Sequence, residues 1–158
     1  MLKNGRQFYS LPYHRILEVV ELSENLPKFD HLRDAEWRDR LTELQYHVTR
    51  QAGTEPPNSG IYYMEDRDGN YLCICCGHLL FTSEMKYHSR CGWPAFHSED
   101  ENAGIRRLED RTHGMLRVEV RCGSCDAHLG HVFDDGPLEF GGERYCINSA
   151  SIDFEQGD

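Results

Sequence analysis

Nowhere in the 158 residues does an apolar run approach the roughly 18 residues needed to cross a membrane. Basic charge is scarce too: 17 Lys and Arg stand against 27 Asp and Glu, a formal charge of −10. General binding to nucleic acid draws on Lys/Arg patches, so nucleic acid and membrane are both set aside as partners. Met1 to Ser10 lack the apolar core of a secretory signal. Glu18, Glu21, Glu24 and Asp30 are out of place in an organelle transit peptide, and a cytoplasmic protein is expected. Strands do not alternate with long helices, which sets aside a parallel sheet. The chain has no low-complexity tract, and its one repeated pattern is made of cysteines. Its apolar fraction, 39%, supplies a single core of the size that gains from a metal staple.

Cysteine is what the chain does have. There are seven, an odd number, and in a reducing compartment cysteines serve metals or catalysis more often than a disulfide framework. Cys73-x-x-Cys76 and Cys122-x-x-Cys125 are two knuckles 46 positions apart, counted from Cys76 to Cys122. Together they offer four thiolates, a tetrahedral zinc set that is coordinatively closed and therefore structural. Gly77 and Gly123 suit the tight turns beside the thiolates. Cys75, next to a ligand, is expected to be a bystander. Cys146 is different: Arg144 lies two residues before it and polar residues follow. A fixed cation favours the thiolate, and the thiolate is the nucleophile.

Residues 1–33 carry no strong pattern and are assigned as an N-terminal extension, partly helical around Arg15 to Leu22. The functional domain is expected over 34–158. Trp37, Leu41, Leu44 and Val48 mark one apolar stripe of a helix from Ala35 to Ala52, with Asp34 as N-cap and Gly53 as the stop. Glu55-Pro56-Pro57-Asn58-Ser59-Gly60 reads as an extended strap. Short strands are expected at Ile61–Tyr63, Leu79–Phe81, Leu116–Val120 and His131–Phe133. Leu116–Val120 alternates apolar and polar as a half-buried strand does. The fold class is mainly β and antiparallel, with helix first and a zinc clip.

Three segments look chemical: Ser89-Arg90-Cys91-Gly92-Trp93-Pro94-Ala95-Phe96, His128-Leu129-Gly130-His131-Val132-Phe133-Asp134-Asp135-Gly136-Pro137 and Arg144-Tyr145-Cys146-Ile147-Asn148-Ser149. With both knuckles, Gly53-Thr54-Glu55-Pro56-Pro57 and Thr112-His113-Gly114-Met115, they make the chain resemble a methionine-R-sulfoxide reductase of the B type in its zinc-containing form, from about Leu41 to about Phe154.

The resemblance implies two antiparallel sheets leaning together like a tent, with helices at the N-terminal side and one structural Zn2+. It implies reduction of the R epimer of methionine sulfoxide, chiefly in proteins. Cys146 is then the nucleophile, left as a sulfenic acid, and Cys91 the resolving cysteine that forms a disulfide with it. Thioredoxin would reduce that disulfide. A sulfoxide oxygen leaves only when protonated. His131 is the expected acid, with His128 holding the oxygen, Asp135 orienting a histidine, Arg144 stabilising the Cys146 thiolate and Asn148 fixing the site. Trp93, completed by Phe133, is the expected apolar wall for the substrate methyl group. Four positions depart from the family pattern: Asn58 stands in place of an aromatic, His88 of an acidic residue, Arg90 of a glycine and Ala95 of a serine. A zinc-ribbon-like binding or chaperone module is the alternative; it accounts for the knuckles and leaves the other motifs unexplained.

Overall fold

The computed structural model describes residues 34–158, so the expected extension lies outside the described residues. Two helices come first, α1 (Asp34–Arg40) and α2 (Glu43–Gln51), followed by strands β1 (Gly69–Cys73), β2 (Leu79–Thr82), β3 (Lys86–Tyr87), β4 (Ala95–Phe96), β5 (Arg106–Asp110), β6 (Arg117–Arg121), β7 (His128–Phe133), β8 (Arg144–Ile147) and β9 (Ile152–Gln156).

The single helix expected over 35–52 is broken at Leu41-Thr42. Thr42 Oγ1 accepts from the Gln45 N–H at 3.1 Å, and the Thr42 N–H donates to Gln45 Oε1 at 3.0 Å. This capping box satisfies two backbone donors and starts a new helix. The restart changes the phase of the stripe: Trp37 and Val48 are buried and Leu44 is exposed. Ala52, in the left-handed region at φ 56°, ends α2 one residue before the expected stop. Ile61-Tyr62-Tyr63 forms a turn rather than a strand. The Tyr62 N–H is taken by Ser149 Oγ and the Tyr63 N–H by the Gly60 carbonyl, leaving none for a ladder.

The strands form a small sheet, β2-β1-β9, and a large one, β3-β4-β8-β7-β6-β5, antiparallel throughout. Their inner faces meet through rings. Phe81 of β2 stacks on Phe96 of β4 at 4.1 Å, Tyr71 of β1 lies edge-on to Phe96 at 5.1 Å, and Phe81 meets Tyr145 of β8 at 5.6 Å. Offset and edge-on pairs of this kind add to what burial alone provides. Leu80, Leu129, Ile147, Ile152 and Val120 complete the core.

Strand alternation then decides what the large sheet shows on its other face. In β8, Tyr145 and Ile147 enter the core, so Arg144 and Cys146 face away from it. In β6 the outcome differs from the pattern read in the sequence. Glu119, assigned to the solvent side by its polarity, is buried, while Leu116 and Val118 are exposed. The cause lies on β7, where histidines stand ready to pair with Glu119.

Candidate active site

Register brings the chemical residues together. His131 is the cross-strand partner of both Glu119 and Cys146, Phe133 of Arg144, Arg117 of Asp110, and Ala95 of Cys146. Paired residues share a face, so Asp110, Arg117, Glu119, His131, Phe133, Arg144 and Cys146 all lie on the side of the large sheet away from the aromatic core. Gly130 permits the close approach of β7 to β8: a Cβ there would sit 2.0 Å from the Cys146 carbonyl oxygen.

Cys91 and Cys146, 55 residues apart in sequence, have their Sγ atoms 3.7 Å apart. Gly92, at φ +101°, and the Asn58 N–H bond to the Gly92 carbonyl hold the Cys91 loop against the strap. The two thiols ionise as a pair. Donation from Cys146, with smaller help from Ser89 and Arg144, pulls Cys91 down to about 5. The same hydrogen bond and then burial push Cys146 up, and Arg144 opposes them without prevailing. Either sulfur can donate across that contact, and Cys91 Sγ also lies 3.2 Å from the Trp93 carbonyl, to which its thiol can donate.

Beside Cys146 is a hollow of about 90 Å³ lined by Thr54, Trp93, Arg117, Gly130, His131, Phe133 and Asn148. It is well below the ~300 Å³ of an ordinary small-molecule pocket, and matches the end of one side chain. Trp93 is fixed by donation from Nε1 to the Glu55 carbonyl at 3.1 Å. Asn148 does not approach a sulfur through any hydrogen bond. It ties elements together instead, accepting from the Glu55 N–H at 2.9 Å and donating to the Leu129 carbonyl at 3.0 Å. The buried Glu55 carboxylate accepts from the Ser149 and Ala150 N–H groups at 2.8 and 2.9 Å, which seats the strap on the turn after β8. Burial raises its pKa, against those two bonds.

Each histidine has its own carboxylate, and neither is Asp135. His131 Nε2 is 2.7 Å from Asp110 Oδ2, and His128 Nδ1 is 2.6 Å from Glu119 Oε2. Burial would raise Glu119, but the bonds from His128 and Arg121 hold it at about 2. The Thr112 backbone N–H, then His131, hold Asp110 well below the usual carboxylate range. Asp135 instead accepts from Arg144 Nε at 2.8 Å and Nη2 at 3.1 Å, and the guanidinium lies 4.6 Å from the Phe133 ring centre. Asp135 thus orients the arginine. Burial depresses His131, which favours its neutral ring. His128 is buried and does not line the hollow; its Nε2 has no hydrogen-bond partner.

The four knuckle sulfurs converge elsewhere. Cys73, Cys76, Cys122 and Cys125 have Sγ atoms all within 4.8 Å of one another, with Cys73–Cys125 at 3.6 Å and Cys76–Cys122 at 3.7 Å. Zn–S bonds near 2.3 Å in a tetrahedron require sulfurs roughly 3.8 Å apart, so the set fits a metal ion of that kind. One knuckle joins β1 to β2 and the other β6 to β7, so an ion here pins the small sheet to the large one. The first turn uses Gly77 at φ +79°. Its counterpart in the second is Asp126 at φ +68°, not Gly123. Gly123 serves close packing, since a Cβ there would sit 1.9 Å from the Gly104 carbonyl oxygen. Cys75 is buried beside the cluster, 3.9 Å from Arg50 Nη1.

Residues 41–156 match the SelR domain family. A peptide methionine sulfoxide reductase MsrB of Chromohalobacter salexigens is 49% identical over 137 residues, 87% of this chain and 100% of the relative. A second MsrB, from Hahella chejuensis, is 54% identical over 79% of this chain and 89% of its own length. A probable methionine-R-sulfoxide reductase B of Caenorhabditis elegans is 51% identical over 90% and 95%.

The chain belongs to the methionine-R-sulfoxide reductase B family. Among the residues named in advance, this reductase-family chain brings Cys91, Trp93, His131, Phe133, Arg144, Cys146 and Asn148 to one place and keeps the four knuckle cysteines apart from them. Sequence reasoning missed Asp110, Arg117, Glu119 and the anchoring part played by Glu55. The signal for the middle two was Arg117-x-Glu119-x-Arg121, three charges on one face of a strand, opposite the histidines of β7. Arg90, where the family pattern has glycine, adopts φ +65°, and Asn58 adopts φ +66°. Asparagine tolerates the left-handed region; arginine there is strained by about 1 kcal/mol.

Proposed function

We propose that this reductase-family chain reduces methionine-R-sulfoxide in proteins to methionine, with Cys146 as nucleophile and Cys91 as resolving thiol. The observation that carries the reading is the 3.7 Å sulfur pair at the edge of a small hollow lined by Trp93, Phe133 and His131. The indole and phenyl faces suit a polarizable S-methyl group.

Cys146 attacks the sulfoxide sulfur as a thiolate, its proton lost to solvent. His131, neutral at rest, takes up a proton at Nδ1 while Asp110 holds Nε2–H, and delivers it to the sulfoxide oxygen. The sulfur–oxygen bond of the substrate breaks and the oxygen ends on Cys146 as a sulfenic acid, with methionine released. Cys91 then attacks the Cys146 sulfur, forming a disulfide and releasing water. A dithiol reductant of the thioredoxin type exchanges with that disulfide and restores both thiols. Arg144, aimed by Asp135, favours negative charge on Cys146 once Cys91 is protonated. The cation proposed for the four-thiolate cluster is Zn2+. When bound there it supplies structure alone, because four sulfurs close its coordination sphere.

No helix among the described residues is long and apolar enough to cross a membrane. A cytoplasmic location for the reaction remains our proposal, as does a division into a 1–33 extension and a 34–158 catalytic domain.

Turnover with separated R and S sulfoxides of a methionyl peptide, driven by a thioredoxin-type dithiol, tests the reading. Methionine is expected from the R epimer only. Equal rates on both epimers, or none on either, would contradict it.

A further inference from the structure

We propose that Asp110 is the positioning residue that fixes the tautomer of His131, and that Arg117, gripped by the same carboxylate oxygen, sets how readily that ring takes up a proton. The inference deepens the function proposed above and rests on it where the rate is concerned.

Asp110 Oδ2 lies 2.7 Å from His131 Nε2 and 3.2 Å from Arg117 Nη2. Its other oxygen is fixed by the Thr112 N–H at 2.9 Å and the Thr112 Oγ1 hydroxyl at 2.7 Å. The carboxylate is therefore held at both ends. A carboxylate can only accept, so neutral His131 must carry its proton on Nε2. Nδ1 is then left as the atom that gains and gives up the mobile proton. The side chains of Asp110, Arg117 and His131 are 13, 22 and 11% exposed, so their charges act through little solvent. Arg117 and His131 both line the hollow beside Cys146. Arg117 Nε is buried with no partner, which leaves Asp110 and Thr112 as the side chains that hold the guanidinium in place.

The other ionisable groups facing His131 are accounted for. His128 lies 5.6 Å away on the same strand but is paired with Glu119, which also bonds Arg121. Glu119 and Cys146 are the cross-strand neighbours of His131. Arg144 is occupied by Asp135. Asp110 and Arg117 are thus the pair whose charges act on the ring in opposite senses. Burial depresses His131 most, Asp110 pulls it back up, and Arg117, with His128 after it, adds to the depression.

The test uses the full chain, metal-loaded and reduced, with nitrogen-15 histidine. Nitrogen shifts of His131 are followed against pH without substrate, beside single-turnover rates on R sulfoxide. Asp110→Asn keeps an oxygen for Nε2–H and removes the charge, so the His131 midpoint should move to lower pH. Arg117→Gln should move it to higher pH. Asp110→Ala should lose the Nε2–H preference, and thermal melts confirm that each variant is folded. The single-turnover rate of Asp110→Asn at pH 7 should fall roughly tenfold or more, within the ~10²–10⁴ that a positioned acid contributes. The descending limb of its pH profile should move in step with the nitrogen midpoint.

Opposite midpoint shifts in the two charge variants, with the limb following, support the proposal. Midpoints and tautomer unchanged in Asp110→Asn and Asp110→Ala overturn it, as does a rate loss with no movement of the limb. The substrate-free nitrogen titration decides the coupling of Asp110 to His131 even if sulfoxide reduction itself fails.

Discussion

Cys146→Ser abolishes reduction of methionine-R-sulfoxide, including the first turnover, and lowers the rate by the whole of what the enzyme contributes. A hydroxyl of the same shape still fits the 3.7 Å contact with Cys91, but it is a far weaker nucleophile and cannot carry the oxygen as a sulfenic acid. Cys91→Ser behaves differently. It releases one methionine per chain. It then stops as the sulfenic acid and is not recycled by a dithiol. Rapid-quench counting of methionine per chain separates the two variants. Sustained cycling in Cys91→Ser would mean that another sulfur resolves, and Cys75 is poorly placed to do so, buried against the four-cysteine cluster.

The metal prediction is of similar size and of a different kind. Removing the ion with a chelator, or one ligand by Cys125→Ala, frees the small sheet from the large one. Structural zinc is folding free energy, and the loss is expected on the order of 5 kcal/mol or more, with a Tm lower by about 10–20 °C for a domain of this size. Metal content by elemental analysis should fall from one zinc per chain to none. Thiol chemistry at Cys146 should survive in whatever fraction stays folded, because the cluster contributes no side chain to the hollow. A metal-free chain that melts with the native protein would remove the structural role.

How much of this could be read in the sequence depended on whether the signal was local. Each Cys-x-x-Cys knuckle is a local turn, and the two together announced the cluster before any fold was known. Cys146 was marked by Arg144, two residues before it. The split of the first helix was also local: Thr42-x-x-Gln45 is a capping box, masked by the apolar stripe that runs through it in the sequence. What could not be read was register. Asp135 lies four residues from His131 in sequence and was expected to orient one of the two histidines, yet it accepts from Arg144, the residue opposite Phe133 in the β7–β8 ladder. Asp110, 21 residues away, reaches His131 because β5, β6 and β7 align Asp110 beside Arg117 and Glu119 beside His131. The closeness of the two thiols was hidden for the same reason. An arginine two residues from a cysteine is visible in the sequence, whereas a second thiol 3.7 Å away is a product of folding. Leu116 and Val118 pointed to an ordinary half-buried strand. The strand buries Glu119 instead, since a carboxylate paired with His128 and Arg121 is compensated where an unpaired one would not be.

The most direct measurement of the division of labour among the seven sulfurs is peptide mass mapping of the metal-loaded chain after one equivalent of methionine-R-sulfoxide and no reductant. The account predicts one methionine released, one disulfide linking Cys91 to Cys146, and Cys73, Cys76, Cys122 and Cys125 still reduced on their ion. A disulfide among the knuckle cysteines or to Cys75, with Cys91 and Cys146 both free, would contradict it.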